Sequence, residues 1–193
     1  MKISNQRNVY NGHFKIELYD VTNPENGQTH TEECFERGDS VAALVFDREK
    51  QTFLFTEQFR IGSKSNLIEI VAGSMDKDGE QPIDALKREL MEEMGLEIAP
   101  PDENNYPNYQ YLGAFYVSPG GCSERVHIFV VDKIIKTGNG GGVGTENINV
   151  LELTPSELFE YLRNGNILDM KTAFVLQAFF AAQHQHEHES EQN

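Results

Sequence analysis

The feature that most constrains the fold is one amphipathic helix pattern in the middle of the chain. Residues 82–94 read PIDALKRELMEEM, with proline in the first turn and Gly95 directly after the last residue, and both are typical helix boundaries. At about 100° per residue, four apolar side chains fall within one stripe that a core can cover. They are Ile83, Leu86, Leu90 and Met94. The pattern predicts a helix with one buried face.

Strand patterns both precede and follow this helix. Apolar or alternating runs predict strands at residues 14–19, 29–35, 41–46, 52–59, 66–71, 109–117, 125–131 and 148–153. Two later patterns predict helices at residues 154–164 and 171–183. Because strands lie on both sides of a central helix without a regular strand–helix repeat, the sequence predicts a mixed α/β fold.

The same patterns predict three segments of different character. Residues 1–38 are expected to form a small antiparallel β segment, too thin to bury a core alone. Residues 39–183 are expected to form the main domain, in which the five glycines of residues 138–144 predict a mobile loop. Residues 184–193 are polar and are expected to be a disordered tail, although their alternating histidines could also bind a metal weakly.

The charge of the chain limits its partners. A formal net charge of -15 repels nucleic acid and anionic lipid, so neither is an expected partner. No apolar run approaches the about 20 residues that span a bilayer, and residues 1–10 are too polar for a signal peptide, so a cytoplasmic location is expected. Two cysteines, Cys34 and Cys122, are too few for a disulfide framework. A small phosphorylated substrate would need an arginine cluster or a divalent cation to offset the repulsion.

An acidic cluster on the central helix could hold such a cation. Glu89, Glu92 and Glu93 share one helical turn, where like charges destabilise a helix unless something offsets them. One explanation is a solvated acidic face. The other is a site for Mg²⁺ or Mn²⁺, which prefer hard oxygen ligands and take substrate phosphates as well, with Arg88 fixing the carboxylates through forked hydrogen bonds.

The segment beginning at Gly73 resembles the Nudix hydrolase signature, G-x5-E-x7-R-E-U-x-E-E-x-G-U, where U is a bulky aliphatic residue. The matching residues are Glu80, Arg88, Glu89, Leu90, Glu92, Glu93, Gly95 and Leu96, all in the correct spacing. Gly73 departs from the pattern, because it lies one residue early and Ser74 occupies the register position. The resemblance implies a Nudix α/β/α sandwich with a mixed sheet.

The resemblance also implies roles for residues of this segment. Glu89, Glu93 and the Ala72 carbonyl would bind Mg²⁺, with Mn²⁺ as an alternative, and Glu92 would lie close by. Arg88 would orient the glutamates, and Glu80 would brace Arg88.

Residues outside the signature resemble the branch of the family that acts on ADP-ribose and other nucleoside-diphosphate sugars. The matching strings are Glu36-Arg37-Gly38, Glu57-Gln58-Phe59-Arg60, Glu69 and Ser118-Pro119-Gly120-Gly121 followed by Ser123-Glu124-Arg125. The substrate-binding residues they imply are Arg37, Arg60, Glu57, Glu69, Ser118, Gly120 and Glu124. Arginine matches phosphate oxygens in a bidentate way, although each arginine could instead form a surface ion pair.

Catalysis also needs a general base, and the family often carries one on a late loop. Glu146 follows the glycine-rich residues and is the candidate, with Glu92 and Glu124 as alternatives. The N-terminal segment resembles the dimerisation segment of the same branch, so a homodimer is expected. There, Phe14 and Tyr19 could either stack on a base or fill the core of the hairpin.

The function implied is Mg²⁺-dependent hydrolysis of a nucleoside-diphosphate sugar, with ADP-ribose, giving AMP and ribose 5-phosphate, as the leading substrate. GDP-mannose or another nucleotide sugar is the alternative, because the triple glycine at residues 140–142 resembles that branch. Two further alternatives are a non-catalytic nucleotide-sensing Nudix module, which the intact acidic pairs disfavour, and an enzyme that removes damaged nucleoside triphosphates.

Overall fold

A computed structural model describes the backbone of residues 1–191 and the side chains of residues 1–182. The strands are β1 Lys2–Asn11, β2 Lys15–Thr22, β3 Thr29–Glu36, β4 Asp39–Asp47, β5 Thr52–Arg60, β6 Ser65–Glu69, β7 Val71–Ser74, β8 Leu96–Ile98, β9 Tyr109–Tyr116, β10 Arg125–Val131, β11 Ile134–Lys136 and β12 Asn149–Leu153. The helices are α1 Pro82–Glu89, α2 Pro155–Arg163 and α3 Met170–Glu191, and α1 continues into a π-helical turn at Leu90–Met94.

The largest sheet has the strand order β12-β5-β4-β10-β9, with β6 paired to β5 and β7 paired to β4. Because side chains alternate along a strand, β4 presents Val41, Ala43 and Val45 to one face, where they pack with the apolar stripe of α1. On the other face, Phe46 and Phe53 contact Phe179 of α3 at ring-centroid distances of 5.8 and 5.5 Å. Helices therefore cover both faces of the sheet, and the predicted mixed α/β architecture is confirmed.

The chain divides into two compact units. Unit 1 comprises Met1–Ser40 and Ala114–His127, and unit 2 comprises Val41–Gly113 and Ile128–Asn193. Unit 1 contains an antiparallel sheet of order β1-β2-β3, so the predicted N-terminal antiparallel segment is present. The sequence did not predict β1, because its residues are polar or exposed on both faces and show no alternation.

The central helix differs from prediction in its last turn. The sequence predicts regular α-helix through Met94, but residues Leu90–Met94 form a π-helical turn that Gly95 ends in a left-handed conformation. The angular positions expected at 100° per residue therefore do not hold for Glu92 and Glu93. The apolar stripe is nevertheless buried, since Leu86, Leu90 and Met94 are fully covered. Wider turns of this kind are frequent at functional sites.

The structure also describes the glycine-rich loop and part of the predicted tail. Residues 138–144 were expected to be a mobile loop, but Gly141 and Gly142 donate backbone hydrogen bonds to the end of the acidic helix. In the tail, the backbone of α3 continues to Glu191 through a segment rich in Gln and Glu and free of Gly and Pro, and the disorder of residues 184–193 stays a prediction. Gln192 and Asn193 lie outside the described residues, as does the histidine metal site. Within the described range, no helix combines the length and apolarity needed to cross a membrane.

Candidate active site

Arg88 connects the loop after β7 to the acidic turn. Its Nη2 donates to the Ser74 carbonyl oxygen at 2.9 Å, and Nε and Nη2 each reach Glu80 at 3.2 Å. Its Nη1 donates to Glu89 at 2.5 Å and to Glu92 at 3.4 Å. The guanidinium is mostly buried, and carboxylates around it, those of Glu80 and Glu89, raise its pKa. Ser74 and Glu80 thus fix the position of the Arg88 guanidinium, which in turn fixes the rotamer of Glu89.

Gly73 leaves room for the Glu89 carboxylate. A Cβ built on Gly73 would overlap that carboxylate, so the close approach of β7 to the helix requires glycine here. The glycine that lies one residue early in the signature is therefore the one facing the acidic turn. Ser74 contributes its carbonyl oxygen to Arg88 instead.

Glu93 is a buried carboxylate with weak hydrogen bonding. Its residue exposure is 5%, and its contacts from Gln58 Nε2 and the Ala72 amide measure 3.5 and 3.4 Å, long for a charged acceptor. Burial, together with the nearby Glu89, raises the pKa of Glu93 to about 7. Burial also raises the pKa of Glu89, and Glu92 and Glu146 add to that effect. Arg88 partly offsets the charge of Glu89, whereas Glu93 has no cationic partner at hydrogen-bond distance among its two long contacts.

This donor set fits a hard divalent cation. Glu89 and Glu93 offer carboxylate oxygens in a desolvated setting, with the backbone of Ala72 beside Glu93. No group of three or more His, Cys, Asp or Glu side chains among the described residues forms a complete cage. Mg²⁺ does not need one, since it usually keeps several waters and takes one or two carboxylates plus substrate phosphates.

A second buried group supports Arg60. Arg60 donates from Nε and Nη2 to Glu69 at 2.7 and 3.0 Å, and Glu69 is 2% exposed. Lys171 Nζ reaches Glu69 at 3.3 Å and Asp169 at 2.6 Å. Glu69 therefore lies behind Arg60 and orients it, while Glu57 lies half-buried on β5 opposite Asn149.

Arg60 lies at a polar pocket of about 400 Å³. The pocket is lined by Gln58, Phe59, Arg60, Asn66, Thr145, Glu146, Asn147 and Asn149. Glu146 is exposed there, and the Val143 amide donates to its Oε2 at 2.8 Å. Gln58 links this pocket to the acidic turn, because it both lines the pocket and contacts Glu93.

Unit 1 brings together the other predicted residues. The Arg37 amide donates to Ser123 Oγ at 3.0 Å, and its side chain lies 3.6 Å from Glu124 and 4.7 Å above the Phe14 ring. Ser40 Oγ donates to the second oxygen of Glu124 at 3.0 Å. Arg37, Phe14 and Glu124 thus form one cluster.

The turn that contains Ser118 and Gly120 directly precedes Ser123 and Glu124 in the chain. The Ser118 carbonyl accepts from the Gly121 and Cys122 amides at 3.2 and 2.9 Å. Gly121 and Ser123 in turn pair with the backbone of Phe35 on β3. Main-chain bonds therefore tie this turn to the strand that leads to Arg37.

Sequence reasoning missed several members of these clusters. Lys171 reaches Glu69 from 102 positions away in the sequence, and Asp169 accepts from the same Lys171 ammonium. Asp39 accepts from Arg125 at 2.5 Å and lies 3.2 Å from His127 Nε2. A signal existed only for Asp169, whose carboxylate accepts from the Thr172 amide at 2.9 Å as a helix N-cap.

Comparisons with known proteins identify the family of this chain. A model of the NUDIX domain family matches residues 36–165. The GDP-mannose pyrophosphatase of Cronobacter sakazakii is 34% identical, over 82% of this chain and 83% of that protein. The GDP-mannose pyrophosphatase of Pectobacterium atrosepticum is 37% identical, over 75% of this chain and 74% of that protein.

A solved structure gives the corresponding result for the fold. The crystal structure of an ADP compounds hydrolase superposes with a TM-score of 0.74 and covers 94% of this chain and 95% of that one. At 18% identity, this likeness concerns the fold alone.

Proposed function

This chain belongs to the NUDIX domain family, and from that membership we propose that it hydrolyses the diphosphate bridge of a nucleoside-diphosphate sugar. Water attacks one phosphorus, the P–O–P bond breaks, and the products are a nucleoside monophosphate and a sugar phosphate. The observation that carries the proposal is the buried pair Glu89 and Glu93, packed against Gly73 and held by Arg88.

The residues that would hold Mg²⁺, or Mn²⁺ in its place, are Glu89, Glu93 and the Ala72 carbonyl, with Glu92 beside them. When bound, a divalent cation offsets diphosphate charge and lowers the pKa of the attacking water. Arg88 contributes by keeping the Glu89 carboxylate in one position, because its other donors are already fixed on Glu80 and Ser74.

Arg60 and Glu146 are proposed to act on the substrate from the polar pocket. Arg60 is preset by its bidentate bond to Glu69, so little side-chain freedom is lost when it binds a phosphate oxygen. Glu146 is exposed in the same pocket and is the proposed acceptor of the proton from water. The amide side chains of Asn66, Asn147 and Asn149 offer donors and acceptors for sugar hydroxyls.

Four residues of unit 1 stay predicted substrate-binding residues, and Glu57 stays one within unit 2. Arg37 and Glu124 are already paired, and Ser118 and Gly120 lie on the ordered turn. Phe14 lies beneath the Arg37 guanidinium, which supports a packing role for its ring. The Tyr19 hydroxyl donates to Glu36 at 2.7 Å, so it orients that carboxylate.

The names of the relatives favour GDP-mannose as the first substrate to test, with ADP-ribose as the second. The experiment is a panel of nucleotide sugars assayed with Mg²⁺, with both products identified by chromatography. Release of GMP and mannose 1-phosphate at the highest kcat/KM supports GDP-mannose, and release of AMP from ADP-ribose at a higher value supports the sequence-based expectation. Absence of turnover on every member, or release of inorganic pyrophosphate from nucleoside triphosphates alone, contradicts the proposal.

A homodimer in the cytoplasm is proposed as the working form. Strand β1 is exposed along its length, including Ile3, Val9 and Tyr10, and both cysteines are free thiols, as is usual in a reducing compartment. Light scattering after size-exclusion chromatography should give twice the chain mass of 21.9 kDa, and a value equal to one chain contradicts the dimer.

A further inference from the structure

The π-helical turn ends with its backbone oxygens fully engaged. The last carbonyls of a helix lack partners within the helix and need them from elsewhere. Here the Gly95 amide donates to Met91 at 3.0 Å, the Gly142 amide to Glu92 at 2.9 Å and the Gly141 amide to Glu93 at 2.9 Å. Lys136 Nζ donates to the Met94 carbonyl at 2.6 Å. Residues 138–142, named here the capping loop, thus bind the backbone of the two acidic residues themselves.

Gly140 makes this contact sterically possible. It has a φ of +68°, in the left-handed region that side chains disfavour. A Cβ built on it would lie 2.5 Å from the Glu93 carbonyl oxygen and 2.7 Å from the Met94 Cα. The obstacle is helix backbone, which cannot rotate away as a side chain can. Any larger residue must therefore push the capping loop off the acidic turn.

The same loop sets the position of Glu146. The Ile148 amide donates to Gly141 at 3.2 Å, and the Glu146 amide donates to Val143 at 3.2 Å. The Val143 amide in turn donates to Glu146 Oε2 at 2.8 Å, and Ile148 is buried. A short chain of hydrogen bonds therefore runs from the Glu93 backbone through Gly141 to the segment that carries Glu146.

We propose that the capping loop is a positioning element for the acidic turn, and that Gly140 is a positioning residue that fixes Glu93 and Glu146 relative to each other. This inference rests on the proposed hydrolytic function. It assigns to the triple glycine a mechanical role in place of the mobility expected from its composition. The loop aligns the cation-binding carboxylates and the proposed base before substrate arrives.

The chain offers a matched control for the test. Gly144 has nearly the same φ, +65°, but a Cβ built on it meets nothing within 4 Å. Gly140→Ala and Gly144→Ala therefore carry similar backbone strain, and only the first collides with the helix. With the wild-type chain as reference, kcat and KM are measured on the nucleotide sugar that the wild type hydrolyses fastest. Binding of Mn²⁺ alone is measured by electron paramagnetic resonance of the free ion.

Gly140→Ala should lower kcat by about 10²-fold, the effect of a misplacement near 1 Å, while KM changes by less than about threefold because Gly140 does not reach the pocket. Its Mn²⁺ dissociation constant should rise by about 10-fold or more, as for other residues that orient metal ligands. Gly144→Ala should stay within about threefold of wild type in both quantities. Equal kcat and Mn²⁺ affinity in the two variants would overturn the inference.

One further measurement keeps the test decisive. If Gly140→Ala does not fold by circular dichroism, hydrogen exchange in the wild-type chain decides whether the loop is held on the acidic turn. Hydrogen exchange in the wild-type chain should show slow Gly141 and Gly142 amides, whereas exchange at open-loop rates counts against it. A wild type that hydrolyses no nucleotide sugar contradicts the proposed function, while Mn²⁺ affinity and exchange still decide the role of the loop.

Discussion

Replacing Gly73 by alanine isolates the contact between β7 and Glu89. Gly73 is not among the residues with positive φ, so its backbone accepts alanine, and the three heavy atoms nearest to the added methyl all belong to the Glu89 carboxylate. That carboxylate is the end of a flexible side chain, and it must leave the position that Arg88 holds. The perturbation therefore acts on the acidic site more than on the fold.

The expected magnitudes follow from this geometry. Overpacking costs about 1–3 kcal/mol in a rigid core, and the lower end applies because Glu89 can rotate. Alanine also reduces the conformational entropy of the unfolded chain, which stabilises the folded state by about 0.4–1 kcal/mol. The free energy of unfolding should therefore fall by less than about 2 kcal/mol. A carboxylate displaced by about 1 Å should cost about 10²-fold in kcat and about 10-fold or more in Mn²⁺ affinity.

The assay compares Gly73→Ala with Gly62→Ala, whose added Cβ meets nothing within 4 Å. Urea denaturation gives stability, and kcat and Mn²⁺ affinity are measured as for the capping loop. Gly62→Ala should keep the kcat and the Mn²⁺ affinity of the wild type. In a Glu89→Ala background, Gly73→Ala should lower kcat and Mn²⁺ affinity no further, because the two changes act through the same carboxylate. Wild-type kcat in Gly73→Ala, or fully additive effects, would refute the reasoning.

Three other changes test separate parts of the site. Glu93→Gln should lower kcat by about 10³-fold through lost transition-state stabilisation of several kcal/mol, while the melting temperature does not fall, since a buried carboxylate with a pKa of about 7 becomes neutral. Lys171→Met should destabilise the chain by about 1–3 kcal/mol in urea and raise KM more than it lowers kcat, because Glu69 loses a partner behind Arg60. Burial raises the pKa of Asp169, but Lys171 and Thr172 outweigh burial and bring it below its usual value. Its contribution to stability is therefore present above about pH 4 and is lost as pH falls through the folded-state pKa, so the stability difference between wild type and Asp169→Asn should shrink between pH 7 and pH 3.

The central helix could be predicted because its information is local. The spacing of Leu86, Leu90 and Met94 defines a buried face within a few turns, and the acidic motif lies on the same stretch. The π-helical turn could not be predicted, since the same residues suit an α-helix. The carbonyl oxygens of this turn accept hydrogen bonds from amides of the capping loop, which lies more than 40 residues further along the chain. These bonds support the geometry of the turn.

The clusters around the arginines show the same limit. A motif points to Arg60 and Glu69 separately, but only folding shows that Glu69 is buried and engaged by Lys171. The sequence register likewise places Ser74 where the family signature has glycine. The space is needed at Gly73, because the Glu89 carboxylate occupies the position that a Cβ would take there. Long-range packing, not composition, decides both cases.

The most direct measurement is an anomalous difference map of crystals soaked with Mn²⁺ and a non-hydrolysable nucleotide-sugar analogue. The account predicts a manganese peak bound to carboxylate oxygens of Glu89 and Glu93 and to the diphosphate of the analogue. A bound analogue with no ion at those two glutamates would contradict it.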